Sequence, residues 1–141
     1  MDTLKIILNN QEKALLKKAG VSALVLFGSQ AQGLAGPMSD FDFGVLLADN
    51  KDFFSIQRRN YIYDTLYDML SAKIEKLANI DIVFLEQAPM ELQSHTANCG
   101  IVVYEAYPNV FARFKEKVIT LYADFEPLRN IFHSAILARI P

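Results

Sequence analysis

The segment 24–47, LVLFGSQAQGLAGPMSDFDFGVLL, constrains this chain most, because two apolar runs enclose a polar, glycine-rich stretch. The first run ends at Gly28-Ser29, ten residues follow, and the second run opens with Asp40 and Asp42. Short apolar runs bounded by turn residues are typical of buried strands. Because side chains alternate along a strand, Asp40 and Asp42 are expected to share a face. The segment predicts a strand, a tight turn, a short helix at 30–33, a loop and a second strand that presents two carboxylates.

Three acidic residues and the Gly-Ser turn predict a metal-and-phosphate site. Neighbouring carboxylates such as Asp40 and Asp42 repel unless a cation lies between them, and hard oxygen ligands suit magnesium. Asp81 stands in a later apolar run, where a lone buried charge would be costly. If that run pairs beside the second strand, three carboxylates can hold two magnesium ions about 3.5–4 Å apart. Gly28-Ser29 offers backbone N–H groups and a hydroxyl to phosphate oxygens.

The other elements follow from apolar spacing, caps and turn residues. Helices are predicted over 10–19, 52–77, 88–98, 108–125 and 127–138, and strands over 22–27, 41–47, 79–85 and 101–105. Gly44 shares the face of Asp42 and leaves room for something to approach the backbone closely. No linker or repeat divides the chain, so residues 1–141 are expected to form one domain with a C-terminal helical segment at about 108–139.

Composition excludes several functional classes. The net charge is −2 and the pI is about 5.6, so tight binding to duplex nucleic acid is not expected. The single cysteine, Cys99, excludes an intramolecular disulfide framework and suggests a reducing compartment. The N-terminus is a poor signal peptide, and no apolar stretch approaches the roughly 20 residues of a membrane span. A cytoplasmic location is therefore expected.

The spacing Gly-Ser, ten residues, Asp-x-Asp, then a later strand with one Asp resembles the minimal nucleotidyltransferases of the polymerase-β superfamily. The text LFGSQAQG…SDFDFGV carries the two-part motif, NIDIVFL matches the strand of the third carboxylate, and YADFEPL resembles the C-terminal helix region of small bacterial members. The resemblance covers nearly the whole chain. It implies an α/β fold, α+β by some schemes, in which helices flank a small mixed β-sheet of about four strands.

The resemblance also implies roles for the site residues. Asp40 and Asp42 would bind both magnesium ions, and Asp81 would bind one of them and help to deprotonate the attacking hydroxyl. Gly28 and Ser29 would hold the β- and γ-phosphates of ATP. The acceptor hydroxyl would attack the α-phosphate in line, and pyrophosphate would leave. The catalytic terms would be positioning and charge neutralisation.

Small single-domain members of this family often act as antitoxins. They are paired with a HEPN-domain RNase toxin, which they silence by adding AMP to a toxin tyrosine. The resemblance therefore implies a protein adenylyltransferase that uses ATP and magnesium and associates with such a toxin. Two alternatives stay open: a nucleotidyltransferase for a small hydroxyl compound such as an aminoglycoside, and a binding antitoxin with weak or no catalysis that masks its partner.

The chain departs from the family after the Gly-Ser turn. Family members often carry arginines there, whereas this chain has Gln30 and Gln32, which removes positive charge near the triphosphate. Arg58 or Arg59 of the long helix is a candidate substitute, although such residues more often lie on a solvated helix face. His95 and His133 have no metal-ligand partner at useful spacing, so a structural role is favoured for both.

Overall fold

The computed structural model describes residues 6–28, 40–48, 55–74 and 79–124. Within these ranges the chain forms helices, strands and one short 3₁₀ turn. In chain order they are α1 (Asn10–Ala19), β1 (Val21–Phe27), β2 (Phe41–Leu47), α2 (Ile56–Lys73), β3 (Ile80–Phe84), the 3₁₀ turn (Leu85–Gln87), α3 (Met90–Cys99), β4 (Ile101–Glu105) and α4 (Val110–Asp124). None of the described helices is both long and apolar enough to cross a membrane.

The strands form one mixed sheet in the order β3-β2-β1-β4. Strand β1 pairs antiparallel with β2 and with β4, whereas β2 pairs parallel with β3. A parallel pair needs a long crossover connection, and α2 lies in the segment that joins β2 to β3. The predicted mixed sheet flanked by helices is therefore confirmed.

Helices cover both faces of the sheet. On one face, Phe41 and Phe43 of β2 pack in the main core with Leu16 of α1 and with Ile62 and Leu66 of α2. These five side chains are fully buried, and they account for the strong apolar pattern of β2 and α2. Removing such large apolar side chains from water is the dominant favourable term in folding.

The opposite face of the sheet packs against α3 and α4. Ala23, Leu46 and Leu85 are buried there, with Val110 and Phe114 of α4 packed against them. Because side chains alternate along a strand, the side chain of Asp42 points to the same face of β2 as that of Leu46. The predicted acidic face of β2 therefore lies on the same side of the sheet as α3 and α4.

Helix α1 has the boundaries that its caps predict. Asn9 is the N-cap: its side chain accepts a hydrogen bond from the Glu12 N–H at 2.8 Å, and the Glu12 carboxylate accepts one from the Asn9 N–H at 2.9 Å. Gly20 ends the helix in the left-handed region at φ 89°. Glu12 also pairs with Lys73 at 2.8 Å, which links α1 to the end of α2.

Both predicted ends of the long helix are wrong by four residues, and the predicted end of the third strand is wrong by one. The long helix spans Ile56–Lys73 instead of 52–77, because Ser55 caps it in an extended conformation and Ile74 is extended after it. Ile74 is also buried, so leaving the helix places an apolar side chain in the core. The third strand ends at Phe84, and the 3₁₀ turn begins at Leu85. The predicted helices at 30–33 and 127–138 lie outside the described residues.

The carboxyl group of Glu86 is buried at the end of β2. Its Oε1 accepts a hydrogen bond from the Leu47 N–H at 2.7 Å, whereas Oε2 is buried with no hydrogen-bond partner among the described residues. Burial raises the pKa of Glu86, although the bonds from the backbone N–H groups of Leu47 and Glu86 and the charge of Lys117 act in the opposite sense. Ionisation of this carboxyl group is therefore less favourable in the folded chain than in the unfolded chain.

We expect Glu86→Gln to stabilise the fold by about 1 kcal/mol at neutral pH, because it removes this charge and keeps the acceptor for Leu47. A raised folded pKa means that the wild-type carboxyl destabilises the fold once it ionises and does not when it is protonated. Denaturant unfolding of both chains should show a gain that shrinks as the pH falls toward 4.5, the ordinary value for glutamate. An equal gain at both pH values would contradict this explanation.

Candidate active site

Two of the predicted carboxylates meet at one end of the sheet. Asp42 of β2 pairs with Asp81 of β3 in the parallel register, so their side chains stand side by side on the same face. Asp42 is partly buried and Asp81 is exposed. Asp40 is also exposed and lies just before β2, two residues from Asp42. The structure thus brings Asp81 to the position beside the Asp-x-Asp pair that sequence reasoning expected for it.

Gly28, directly after β1, lies against the Asp42 carboxylate. Phe27 pairs with Asp42 across β1 and β2, and Gly28 follows with φ +77°. That left-handed conformation favours glycine, and a Cβ atom at this position would collide with the Asp42 carboxylate. The Gly28 backbone therefore lies closer to the Asp42 carboxylate than a residue with a Cβ atom would allow. Ser29, the other predicted phosphate ligand, lies outside the described residues.

The local charges disfavour the ionised form of Asp42. Burial raises the pKa of Asp42, the charges of Asp81 and Asp40 raise it further, and a hydrogen bond with Asp81 acts in the same direction. The charge of His95 lowers the pKa of Asp42 and so opposes these effects in part. A carboxylate held beside like charges is stabilised by a nearby cation. A divalent cation bound here would offset the repulsion between these carboxylates.

The donor set fits magnesium, which prefers carboxylate oxygens. In the ranges that the structure describes, no three acidic, histidine or cysteine side chains form a complete metal-binding group. Magnesium is usually held by one or two carboxylates together with substrate phosphates and waters, and seldom by an all-protein cage. Asp42 and Asp81 fit that kind of site, with Asp40 close enough in the chain to join it.

The space beside Gly44 is filled by protein. A Cβ atom on Gly44 would lie 2.7 Å from Cδ1 and 2.9 Å from Cγ of Leu85, whose side chain is fully buried. The close approach that the sequence predicts at Gly44 therefore comes from Leu85, the first residue of the 3₁₀ turn after β3. The glycine serves packing between adjacent strands, away from the ligand-binding end.

Gly44→Ala is expected to destabilise the fold by about 1–3 kcal/mol, because the added methyl overpacks the contact with Leu85. Leu85→Ala alone should also destabilise, since it leaves a cavity. In the double variant the added methyl occupies part of the vacated space, so the two losses should be less than additive. Denaturant unfolding of the four chains measures this coupling, and strict additivity would show that Leu85 is not the obstacle.

Arg58 and Arg59 lie far from the carboxylates. Arg58 Nη2 donates to the carbonyl oxygen of Ala19 at 3.4 Å, and Arg59 Nη1 donates to Oε1 of Gln87 at 2.9 Å. Ala19 precedes β1, whereas Gly28 follows it, and a strand of 7 residues spans about 20 Å. The suggestion that either arginine replaces positive charge near the triphosphate is therefore wrong, because both support the opposite end of the sheet.

His95 lies beside the site, and its spacing in the sequence did not indicate this. Its ring meets that of Phe27 in an edge contact, with centroids 6.4 Å apart and an interplanar angle of 80°. Phe27 is the strand residue that precedes Gly28 and pairs with Asp42. Only the packing of α3 on the sheet brings His95 here, so no motif in the chain could have revealed it. His133 lies outside the described residues.

Comparison with known proteins agrees with this geometry. The family model described as "Polymerase beta, Nucleotidyltransferase" matches residues 9–109, which include the turn and all three carboxylates. The chain is 32% identical over 120 residues to the protein adenylyltransferase MntA of Aphanizomenon flos-aquae. That alignment covers 84% of this chain and 79% of the relative.

Solved structures show the same fold. A chain of a toxin–antitoxin complex crystallised with AMP-PNP matches with a TM-score of 0.67 and 22% identity, over 92% of this chain and 99% of that chain. A chain from the complex of tri-AMPylated Shewanella oneidensis HEPN toxin with MNT antitoxin matches with a TM-score of 0.60 and 19% identity, over 90% and 97% of the two chains. At these identities the similarity concerns the fold.

Proposed function

This chain belongs to the polymerase-β nucleotidyltransferase family, and we propose that it transfers AMP from ATP to a tyrosine hydroxyl of a cognate HEPN RNase toxin. In this proposal it acts as an antitoxin in the cytoplasm, as a single domain associated with the toxin. The observation that carries the transfer chemistry is the close approach of Gly28 to the Asp42 carboxylate, which itself lies beside Asp81. The adenylyltransferase relative, 32% identical, supports AMP as the transferred group.

The site residues divide the chemistry between them. Asp40 and Asp42 would hold both magnesium ions and Asp81 would hold one of them; magnesium, when bound, neutralises charge on the triphosphate. The Gly28-Ser29 turn would bind the β- and γ-phosphates through backbone N–H groups and the serine hydroxyl. Asp81 is exposed and so is accessible to an incoming hydroxyl, whose proton it would accept. The tyrosine oxygen bonds to the α-phosphorus as the bond from that phosphorus to the bridging oxygen breaks, and pyrophosphate leaves.

The test is transfer of label from α-labelled ATP in the presence of magnesium and the purified cognate toxin. Label on the toxin, lost when its acceptor tyrosine is changed to phenylalanine, is the expected result. The Asp40→Ala/Asp42→Ala chain should transfer none. The measured signal is covalent AMP on a separated toxin band, confirmed by mass spectrometry.

Two other outcomes would replace the proposal. Label on a small hydroxyl compound without any protein partner would identify a small-molecule nucleotidyltransferase. No label, together with protection of cells by an Asp40→Ala/Asp42→Ala/Asp81→Ala chain, would identify an antitoxin that acts by masking its partner. The neutral Gln30 and Gln32 after the turn make this second outcome the one to test first among the alternatives.

A further inference from the structure

His95 is exposed, yet it has a defined position at the edge of the candidate active site. Its ring packs against Phe27 with centroids 6.4 Å apart. Phe27 is buried, pairs with Asp42 and is followed at once by Gly28. The imidazole therefore stands beside the strand end that leads into Gly28 and pairs with Asp42.

The helix that carries His95 is attached at one end to the 3₁₀ turn after β3 and at the other to β1. Gln93 Nε2 donates to the carbonyl oxygens of Leu85 at 2.7 Å and Ala88 at 3.1 Å. At the other end of α3, a Cβ atom on Gly100 would lie 2.5 Å from Cγ1 of Val25, so the end of the helix is pressed against β1. A side chain on such a support keeps its geometry when a ligand binds, as functional groups require.

The negative charge of the site favours a cationic or hydrogen-bond-donating side chain beside a bound polyphosphate. The acidic residues at this end of the sheet repel a polyphosphate anion, and the residues that follow Gly28-Ser29 include the neutral Gln30 and Gln32. Arg58 and Arg59 are bonded at the opposite end of the sheet. In the described part of the chain, the group whose charge favours the ionised form of Asp42 is His95.

We propose that His95 contacts the leaving part of the nucleotide, its imidazole N–H donating a hydrogen bond to an oxygen of the β- or γ-phosphate held at the Gly28 turn. The inference rests on the proposed function, because it assumes a triphosphate at this site. Hydrogen bonds to charged phosphate oxygens are about twice as strong as those between neutral groups. His95 is thus a substrate-binding residue on α3 that contacts phosphate where the residues after Gly28-Ser29 carry no positive charge.

The test compares ligands that contain these phosphates with one that does not. Binding of magnesium tripolyphosphate, of a magnesium ATP analogue that cannot be cleaved at the α–β bridge, and of AMP is measured by titration calorimetry. His95→Phe keeps a ring against Phe27 but has no donor, whereas His95→Gln keeps a donor. Asn98→Ala is the matched control, since Asn98 is exposed on the same helix one turn further on.

We expect His95→Phe to weaken binding of tripolyphosphate and the ATP analogue by about tenfold, which corresponds to about 1.4 kcal/mol, and to leave AMP binding unchanged. His95→Gln should restore most of the affinity, and Asn98→Ala should match the wild type. Melting temperatures should agree among the four chains, because His95 is exposed.

Several results would overturn the inference. Equal binding by the wild type and His95→Phe would exclude the phosphate contact, and so would an equal loss for AMP and tripolyphosphate, which indicates a structural role. Unchanged binding with a fall in kcat would assign His95 to proton transfer instead. Failure of the wild type itself to bind either polyphosphate would overturn the proposed function, and the inference with it.

Discussion

Asp42→Asn should reduce AMP transfer by about 10³-fold while the melting temperature stays the same or rises. The loss follows because the amide cannot hold a cation as the carboxylate does, and charge stabilisation at such sites is worth about 10²–10³ in rate per group. The melting temperature is not expected to fall, because burial and the neighbouring Asp81 and Asp40 already disfavour the charge of Asp42 in the fold. Sites that bind charge often sacrifice stability in this way.

The measurement is the initial rate of toxin labelling, with melting followed by scanning fluorimetry in the presence and absence of magnesium and a non-cleavable ATP analogue. The wild type should be stabilised by the ligands and Asp42→Asn should not. Asp64→Asn is the matched control, because Asp64 is exposed on α2 and the chemical change is identical. A fully active Asp42→Asn chain would remove the basis of the proposed function.

Gly28→Ala is expected to lose both stability and activity. The left-handed conformation at φ +77° costs a residue with a Cβ atom about 1–2 kcal/mol. The same Cβ atom would occupy the place of the Asp42 carboxylate, so the metal-binding side chain has to move. A displacement of about 1 Å in a catalytic group can reduce the rate about 10²-fold, and we expect a loss of at least that order.

Gly20→Ala provides the comparison that separates the two effects. Gly20 lies at the other end of β1 and also has a positive φ, +89°, but its Cβ atom would meet the guanidinium of Arg58, the end of a long side chain that can turn aside. The variant should lose a similar amount of stability on unfolding in urea. Measured well below both melting temperatures, labelling should persist in Gly20→Ala and fail in Gly28→Ala. Comparable activity in the two variants would show that Gly28 acts only through backbone strain.

Local sequence patterns were enough to predict the helices and strands that the structure describes and the Asp-x-Asp part of the site. Alternation predicted that Asp42 points to the face of β2 opposite Phe41 and Phe43, and the helix predicted over 10–19 is α1, with Asn9 and Gly20 as its caps. Each of these depends on interactions within a few residues of chain, so the sequence carries them directly. The long helix was predicted too long at its C-terminal end because burial of Ile74, a tertiary effect, accompanies the end of the helix there.

The sequence by itself determined the strands, the glycine at the end of β1, the placement of Asp42 on the face of β2 opposite Phe41 and Phe43 and, through its motif, the family. Tertiary structure alone decided that Asp81 faces Asp42, that Leu85 fills the space at Gly44, and that His95 stands beside the turn while Arg58 lies at the far end of β1. These pairings join residues distant in the chain. They are selected by strand register and by burial of whole elements, which no local spacing encodes.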